Sequence, residues 1–104
     1  MKPITRSTGM NRTEAAYAAM LEIAKRTGQI TDYLFEAVKL RLADNTFYTP
    51  DFFVVTPERF ECHEVKGFWR DDARVKIKVA AHQYPWMRFV AIQWKNREWK
   101  TEEF

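Results

Sequence analysis

The tetrapeptide Thr56-Pro57-Glu58-Arg59 constrains this chain more than any other stretch, because β-prone residues flank it on both sides, Phe47 to Val55 before it and Phe60 to Lys66 after it. Proline and polar residues between two such runs favour a reversal, and a reversal there makes a hairpin. Centring the turn between Pro57 and Glu58 fixes the register: Val55 faces Phe60, Phe53 faces Cys62, and Asp51 faces Glu64. Side chains alternate along a strand, so these residues share one sheet face with Lys66, which lies about 6 to 7 Å beyond Glu64. That face begins apolar at the turn and ends in two acids and a lysine. Opposed carboxylates repel, at roughly 0.2 to 1 kcal/mol when exposed and more when dry. A cation is therefore expected between them: Lys66 in part, and a hard divalent ion liganded by oxygens more fully.

The remaining pattern places this hairpin in a fold. Asn11 reads as a helix N-cap with Glu14 three residues on, and Tyr17, Met20, Leu21 and Ala24 recur at helical spacing until Gly28. From Ile30 to Leu42 apolar residues sit mostly at strand spacing, with an irregularity at Glu36 and Ala37 that suits a bulge or short turn. Asp44-Asn45 turns the chain into the Phe47 to Val55 strand, so the three strands through Lys66 are expected as an antiparallel meander. After Gly67, Asp71 or Asp72 opens a second helix that Pro85 ends. Val75, Val79 and His82, flanked by Ile77, Ala80, Ala81 and Tyr84, are expected to form its buried side. Met87 to Trp94 is a further strand, with a short edge piece at Glu98 to Thr101. The order is α-β-β-β-α-β, an α+β fold or mixed α/β sandwich. With 104 residues, 46% of them hydrophobic, the chain has material for one core, so residues 11–104 are expected as a single domain behind a flexible N-terminal arm of residues 1–10.

Charge and cysteine usage narrow the partners. The formal net charge is only +3, yet Lys66 to Lys100 holds nine Lys or Arg against Asp71, Asp72 and Glu98, a segment of +6. A concentrated basic surface suits a polyanion such as nucleic acid, and equally a solvated face. Cys62 is the single cysteine, which excludes an intrachain disulfide and a thiolate zinc cluster and fits a reducing cytoplasm. No segment approaches the roughly 18 to 20 apolar residues of a membrane span, so no membrane partner is expected.

Several other residues have readings of their own. Glu14 shares the 14-17-21-24 stripe that Tyr17 and Leu21 turn toward the sheet. It is expected either to reach the acidic pair as a further ligand or to complete a capping box with Asn11. His63 falls on the sheet face opposite Glu64, and His82 reads as a packing residue. Trp69 suits a loop aromatic covering the core. Trp86, Trp94 and Trp99 read as core or subunit-interface residues.

Pro50-Asp51 followed by Glu64-Val65-Lys66, behind a helix bearing Glu14 and ahead of a basic helix, resembles the PD-(D/E)XK nuclease superfamily. More narrowly, Tyr-Thr-Pro-Asp-Phe, Glu-Val-Lys-Gly and Asp-Ala-Arg-Val-Lys-Ile-Lys resemble small phage-encoded endonucleases of the Holliday junction resolvase-like type, over roughly residues 11 to 95. The resemblance implies a restriction-endonuclease-like core with a central mixed sheet. It implies a metal-dependent DNA endonuclease that leaves a 5′-phosphate and a 3′-hydroxyl, with branched or recombination-intermediate DNA as a candidate substrate. Asp51, Glu64 and the Val65 carbonyl, with Glu14, would hold Mg²⁺ or Mn²⁺, and Lys66 would orient or help deprotonate a water. Arg70, Arg74, Lys76 and Lys78 would contact backbone phosphates. A homodimer is expected for an enzyme cutting two strands of a junction, in the host cytoplasm if the chain is phage-encoded. The alternative is a non-catalytic nucleic-acid-binding or inhibitory module that keeps the nuclease fold.

Overall fold

The first helix starts on a reciprocal cap. In the computed structural model, which describes residues 9 to 67 and 71 to 104, α1 spans Arg12–Arg26. The Asn11 side chain accepts from the Glu14 N–H at 2.8 Å while the Glu14 carboxylate accepts from the Asn11 N–H at 3.0 Å. Gly28, at φ 84°, takes the left-handed conformation that ends the helix at little steric cost. Tyr17 and Leu21 are its buried residues, as their spacing predicts.

The two long strands expected between Ile30 and Val55 are one antiparallel hairpin folded at an elbow. Each arm is interrupted at the same level, giving β1 (Asp32–Phe35), β2 (Leu40–Ala43), β3 (Thr46–Tyr48) and β4 (Phe52–Val55), with β1 paired to β4 and β2 to β3. Two residues explain the interruption. Glu36 sits at φ 48°, a conformation incompatible with a strand, and buried Pro50 has no N–H to give a ladder. The Glu36 N–H donates to the Asp51 carbonyl at 2.8 Å and closes the elbow. The tip of the hairpin thereby leaves the main sheet and forms a separate two-stranded sheet. The irregularity at Glu36 and Ala37 is real, and it is larger than a bulge.

β5 (Phe60–Lys66) pairs with β4 in the predicted register, Val55 with Phe60 and Phe53 with Cys62. The chain then crosses through α2 (Asp71–Gln83) to β6 (Arg88–Lys95), which lies parallel to β5. β7 (Glu98–Glu103) adds an antiparallel edge, so the five-stranded mixed sheet runs β1-β4-β5-β6-β7. Two helices and seven strands make an α+β fold, with more strands than the expected α-β-β-β-α-β order because of the elbow and the full length of β7.

The sheet separates two apolar layers. On one face α1 sets Tyr17 and Leu21 against Phe52, Val54, Val65, Val90 and Ile92. On the other, Cys62 and Phe89 pack with Ile77 and Ala80 of α2 and with Leu42 and Tyr48 of the hairpin tip. Fully burying a side chain such as Phe52 or Phe89 contributes about 2 to 3 kcal/mol.

The expectation for the buried side of α2 is overturned in part. The buried stripe of α2 is Ile77, Ala80 and, half-buried, Ala81 and Tyr84, whereas Val75 (58% exposed), Val79 (37%) and His82 face outward. Only one phase of that helix lets Ile77 meet Phe89 and Cys62, and the β-branched pair lies outside it. Of the two readings for the tryptophans, the core one fits Trp99, which packs edge-on against Tyr17 at 5.4 Å, and does not fit Trp86 and Trp94, which are exposed. Of the arm expected over residues 1–10, residues 1–8 lie outside the described residues, as do Trp69 and Arg70, and Met10 packs against the α1-face core. Among the described residues no helix is long and apolar enough to cross a membrane.

Candidate metal centre on β5

Asp51 stands at the elbow, one residue before β4, where the β4–β5 ladder has run out of strand. Val65 therefore has an N–H that β4 does not take, and the Asp51 carboxylate accepts it through Oδ2 at 2.8 Å. In return the Asp51 N–H donates to Glu64 Oε1 at 3.3 Å. The opposition of Asp51 and Glu64 expected from the turn is thus present, as a pair of side-chain to backbone hydrogen bonds continuing the ladder. Both acids are buried, Asp51 at 9% and Glu64 at 7% exposure.

Glu64, Cys62 and half-buried Lys66 share the face covered by α2 and the hairpin tip. The neighbour of Glu64 on β6 is Ala91, small enough to leave a longer carboxylate room on that face. Both Glu64 oxygens are occupied. The Tyr48 hydroxyl donates to Oε1 at 2.6 Å, and the Lys66 ammonium meets Oε2 at 3.0 Å. Tyr48 is a contact that the sequence reading did not assign. It belongs to the same Tyr-Thr-Pro-Asp run as Asp51, but its approach to Glu64 depends on the elbow, which no local pattern specifies.

Electrostatics mark this cluster as short of positive charge. Burial, and next the negative charge of Glu64, push the Asp51 carboxyl up to about 7, with Glu14 adding to the effect and the Val65 N–H and Lys66 opposing it. At Lys66 burial acts to lower the ammonium, but the hydrogen bond and charge of Glu64, followed by Asp51 and Glu14, outweigh it and hold Lys66 above the usual lysine value. Lys66 is therefore a cation here, suited to orienting an anion or a water rather than to taking a proton. Burial, and then the charges of Glu64 and Glu61, push the Cys62 thiol up to about 12. The Tyr48 hydroxyl is raised by burial and by Glu64, so it remains a donor.

Glu14 acts on this cluster at a distance. Its carboxylate is engaged in the cap of α1 through Oε1, and its charge acts on Asp51 and Lys66 as a field. Among the described residues, no three His, Cys, Asp or Glu side chains converge as a ready ligand set. Candidate ligands are thus the two carboxylates of Asp51 and Glu64 and the backbone of Val65. That set fits a hard ion that keeps several waters, provided it displaces Lys66 from Glu64 Oε2.

The expected phosphate contacts disperse. Arg74 is ion-paired with Glu102 of β7, and Lys76 donates to the Phe47 carbonyl at 3.3 Å. Lys78 and His82 line a groove of about 510 Å³ between α2 and β7, together with Glu102, Glu103 and Phe104. Exposed in that groove, His82 is a surface group and not the packing residue expected.

The other face of β5 carries a second buried polar group. His63 Nε2 lies 2.8 Å from Glu61 Oε1, and Nδ1 lies 2.6 Å from the Tyr17 hydroxyl. A carboxylate only accepts, so in the neutral ring Nε2 donates to Glu61 and Nδ1 accepts a hydrogen bond from the Tyr17 hydroxyl. Arg88 adds a hydrogen bond to Glu61 at 3.4 Å and pairs with Glu103 at 2.7 Å. The position of His63 opposite Glu64 is as the alternation predicts, but this network was not. Its sequence signal is Glu61 and His63 two apart on one strand. Compared with protein-family models, with curated proteins and with solved structures, the chain matches none.

Proposed function

We propose that the protein is a metal-dependent DNA endonuclease of the PD-(D/E)XK type. The observation that carries this reading is the buried Asp51–Glu64 pair at the end of an interrupted ladder, where burial and then the facing Glu64 charge push the Asp51 carboxyl up to about 7. Asp51, Glu64 and the Val65 carbonyl would hold Mg²⁺ or Mn²⁺. The ion would supply Lewis-acid stabilisation of charge developing on a phosphodiester. Tyr48 keeps Glu64 aimed, and Lys66, freed from Glu64 Oε2, is placed to orient a water or a phosphate oxygen. The products would be a 5′-phosphate and a 3′-hydroxyl.

A non-catalytic nucleic-acid-binding module on the same fold is the second reading. It is favoured by the Lys66–Glu64 contact, which already neutralises one acid without a metal. Incubating labelled duplex, flap and four-way-junction DNA in Mg²⁺, Mn²⁺ or EDTA, alongside Asp51→Ala and Lys66→Ala, separates the two. Cleavage that needs the metal and both residues supports the nuclease. Binding without cleavage supports the module, and equal degradation by all three proteins refutes the assigned site.

A further inference from the structure

The hairpin tip is fastened to α2 by its backbone, which leaves its outward side chains without a structural task. Gln83 donates to the Leu42 carbonyl at 2.7 Å, the Tyr84 hydroxyl to the Arg41 carbonyl at 2.7 Å, and Lys76 to the Phe47 carbonyl at 3.3 Å. Leu42 and Tyr48 point into the core. By alternation Lys39, Arg41 and Phe47 point the other way, and Arg41 is the cross-strand partner of Phe47. The Lys39 ammonium lies 4.5 Å from the centroid of the Phe47 ring, which is 39% exposed. With Lys76 at its edge, this face presents three cations around one aromatic ring, and the single acid between residues 39 and 48 is Asp44, in the turn.

We propose that this outward face of β2–β3 is the platform on which a DNA strand lies, with Lys39, Arg41 and Lys76 contacting phosphates and Phe47 stacking on a base. Charge complementarity names the partner. A tethered cluster of three cations beside a turn with one acid, Asp44, suits a polyphosphate, and an aromatic face among them suits unpaired bases. Continuity with the candidate site names the place: Phe47 precedes Tyr48, whose hydroxyl holds Glu64 from the inner side of the same strand. A strand on the platform is thus delivered to within a few residues' span of Asp51 and Glu64. The assignment of DNA as the occupant rests on the nuclease reading.

The test measures binding apart from cleavage. Fluorescence anisotropy of labelled single-stranded and duplex oligonucleotides is followed in EDTA across a salt series. The proteins are wild type, Lys39→Ala/Arg41→Ala, Phe47→Ser and a control on another basic surface, Lys95→Ala/Arg97→Ala, each checked for folding by circular dichroism. The double variant is expected to bind about tenfold or more weakly, with a salt slope reduced by about 1 to 2. Phe47→Ser should weaken single-strand binding roughly tenfold and duplex binding less, and Phe47→Tyr should restore it. Wild-type affinity in both platform variants, or a loss confined to the control, would overturn the proposal. So would a wild type that binds neither oligonucleotide. Platform-dependent binding without any cleavage in Mg²⁺ upholds the platform while sinking the nuclease reading, and cleavage with unaltered affinity in the variants does the reverse.

Discussion

β5 carries a buried polar cluster on each face, and the two are built on opposite terms. On the α1 face, Glu61 is surrounded by donors, and the hydrogen bond from His63, followed by the charges of His63, Arg88 and Arg59, holds its carboxyl below the ordinary range against the pull of burial. On the α2 face, two acids share one lysine, and the Asp51 carboxyl moves the other way. A carboxylate whose surroundings supply its counter-charge is part of the scaffold, since any added cation would have to displace an existing partner. A carboxylate pair left short of counter-charge is destabilising as it stands and is relieved by a ligand. The two faces of the same strand therefore separate a group that holds the fold from the pair proposed to bind a cation.

The largest expected effect on this contrast is in activity. Asp51→Asn should lower metal-dependent cleavage by about 10³-fold while leaving the protein folded, whereas His63→Gln should leave cleavage within a few-fold of wild type, both read from initial rates on a labelled duplex. Stability should show the reverse order. Glu61→Ala leaves His63 Nε2 without its acceptor and Arg88 with Glu103 alone, and is expected to cost roughly 1 to 3 kcal/mol in urea unfolding, with metal affinity unchanged.

The pH dependence of stability sharpens the same point. The folded-state value of Asp51, about 7, lies above that of an ordinary aspartate, so the folded protein retains a proton that the unfolded chain has released. The contribution is full below about pH 4 and is lost as pH rises to about 7. Urea midpoints of wild type should therefore decline over that window relative to Asp51→Asn. Millimolar Mg²⁺ should lift the decline at its alkaline end. The smallest effect is expected at Tyr48→Phe, which removes one hydrogen bond from Glu64 Oε1. It should cost about 1 kcal/mol and weaken Mn²⁺ binding a few-fold, measured by titration calorimetry.

The helix cap at Asn11, the register of the Thr56–Arg59 hairpin and the opposition of Asp51 to Glu64 were all legible because each depends on residues close in sequence. The elbow was not, although Glu36 and Pro50 are its visible causes. Each looks like a local flaw in its own strand, and only their pairing at one level through the Asp51 carbonyl turns two flaws into a fold. Everything that follows from the elbow was hidden for the same reason, including the reach of Tyr48 to Glu64 and the outward hairpin face. The phase of α2 misled because Val75 and Val79 carry the stronger apolar signal, while Ile77 and Ala80 fit the layer against Phe89. Glu14 illustrates a choice that sequence leaves open: one carboxylate could complete a cap or a metal site, and in this structure it completes the cap.

The central claim is that Asp51 and Glu64 form a divalent-cation site, and Mn²⁺ titration followed by thermal unfolding at pH 7.5 tests it most directly. Wild type is expected to gain several degrees in Tm between micromolar and millimolar Mn²⁺, and Asp51→Asn to gain none. No shift in wild type, or the same shift in both proteins, would contradict it.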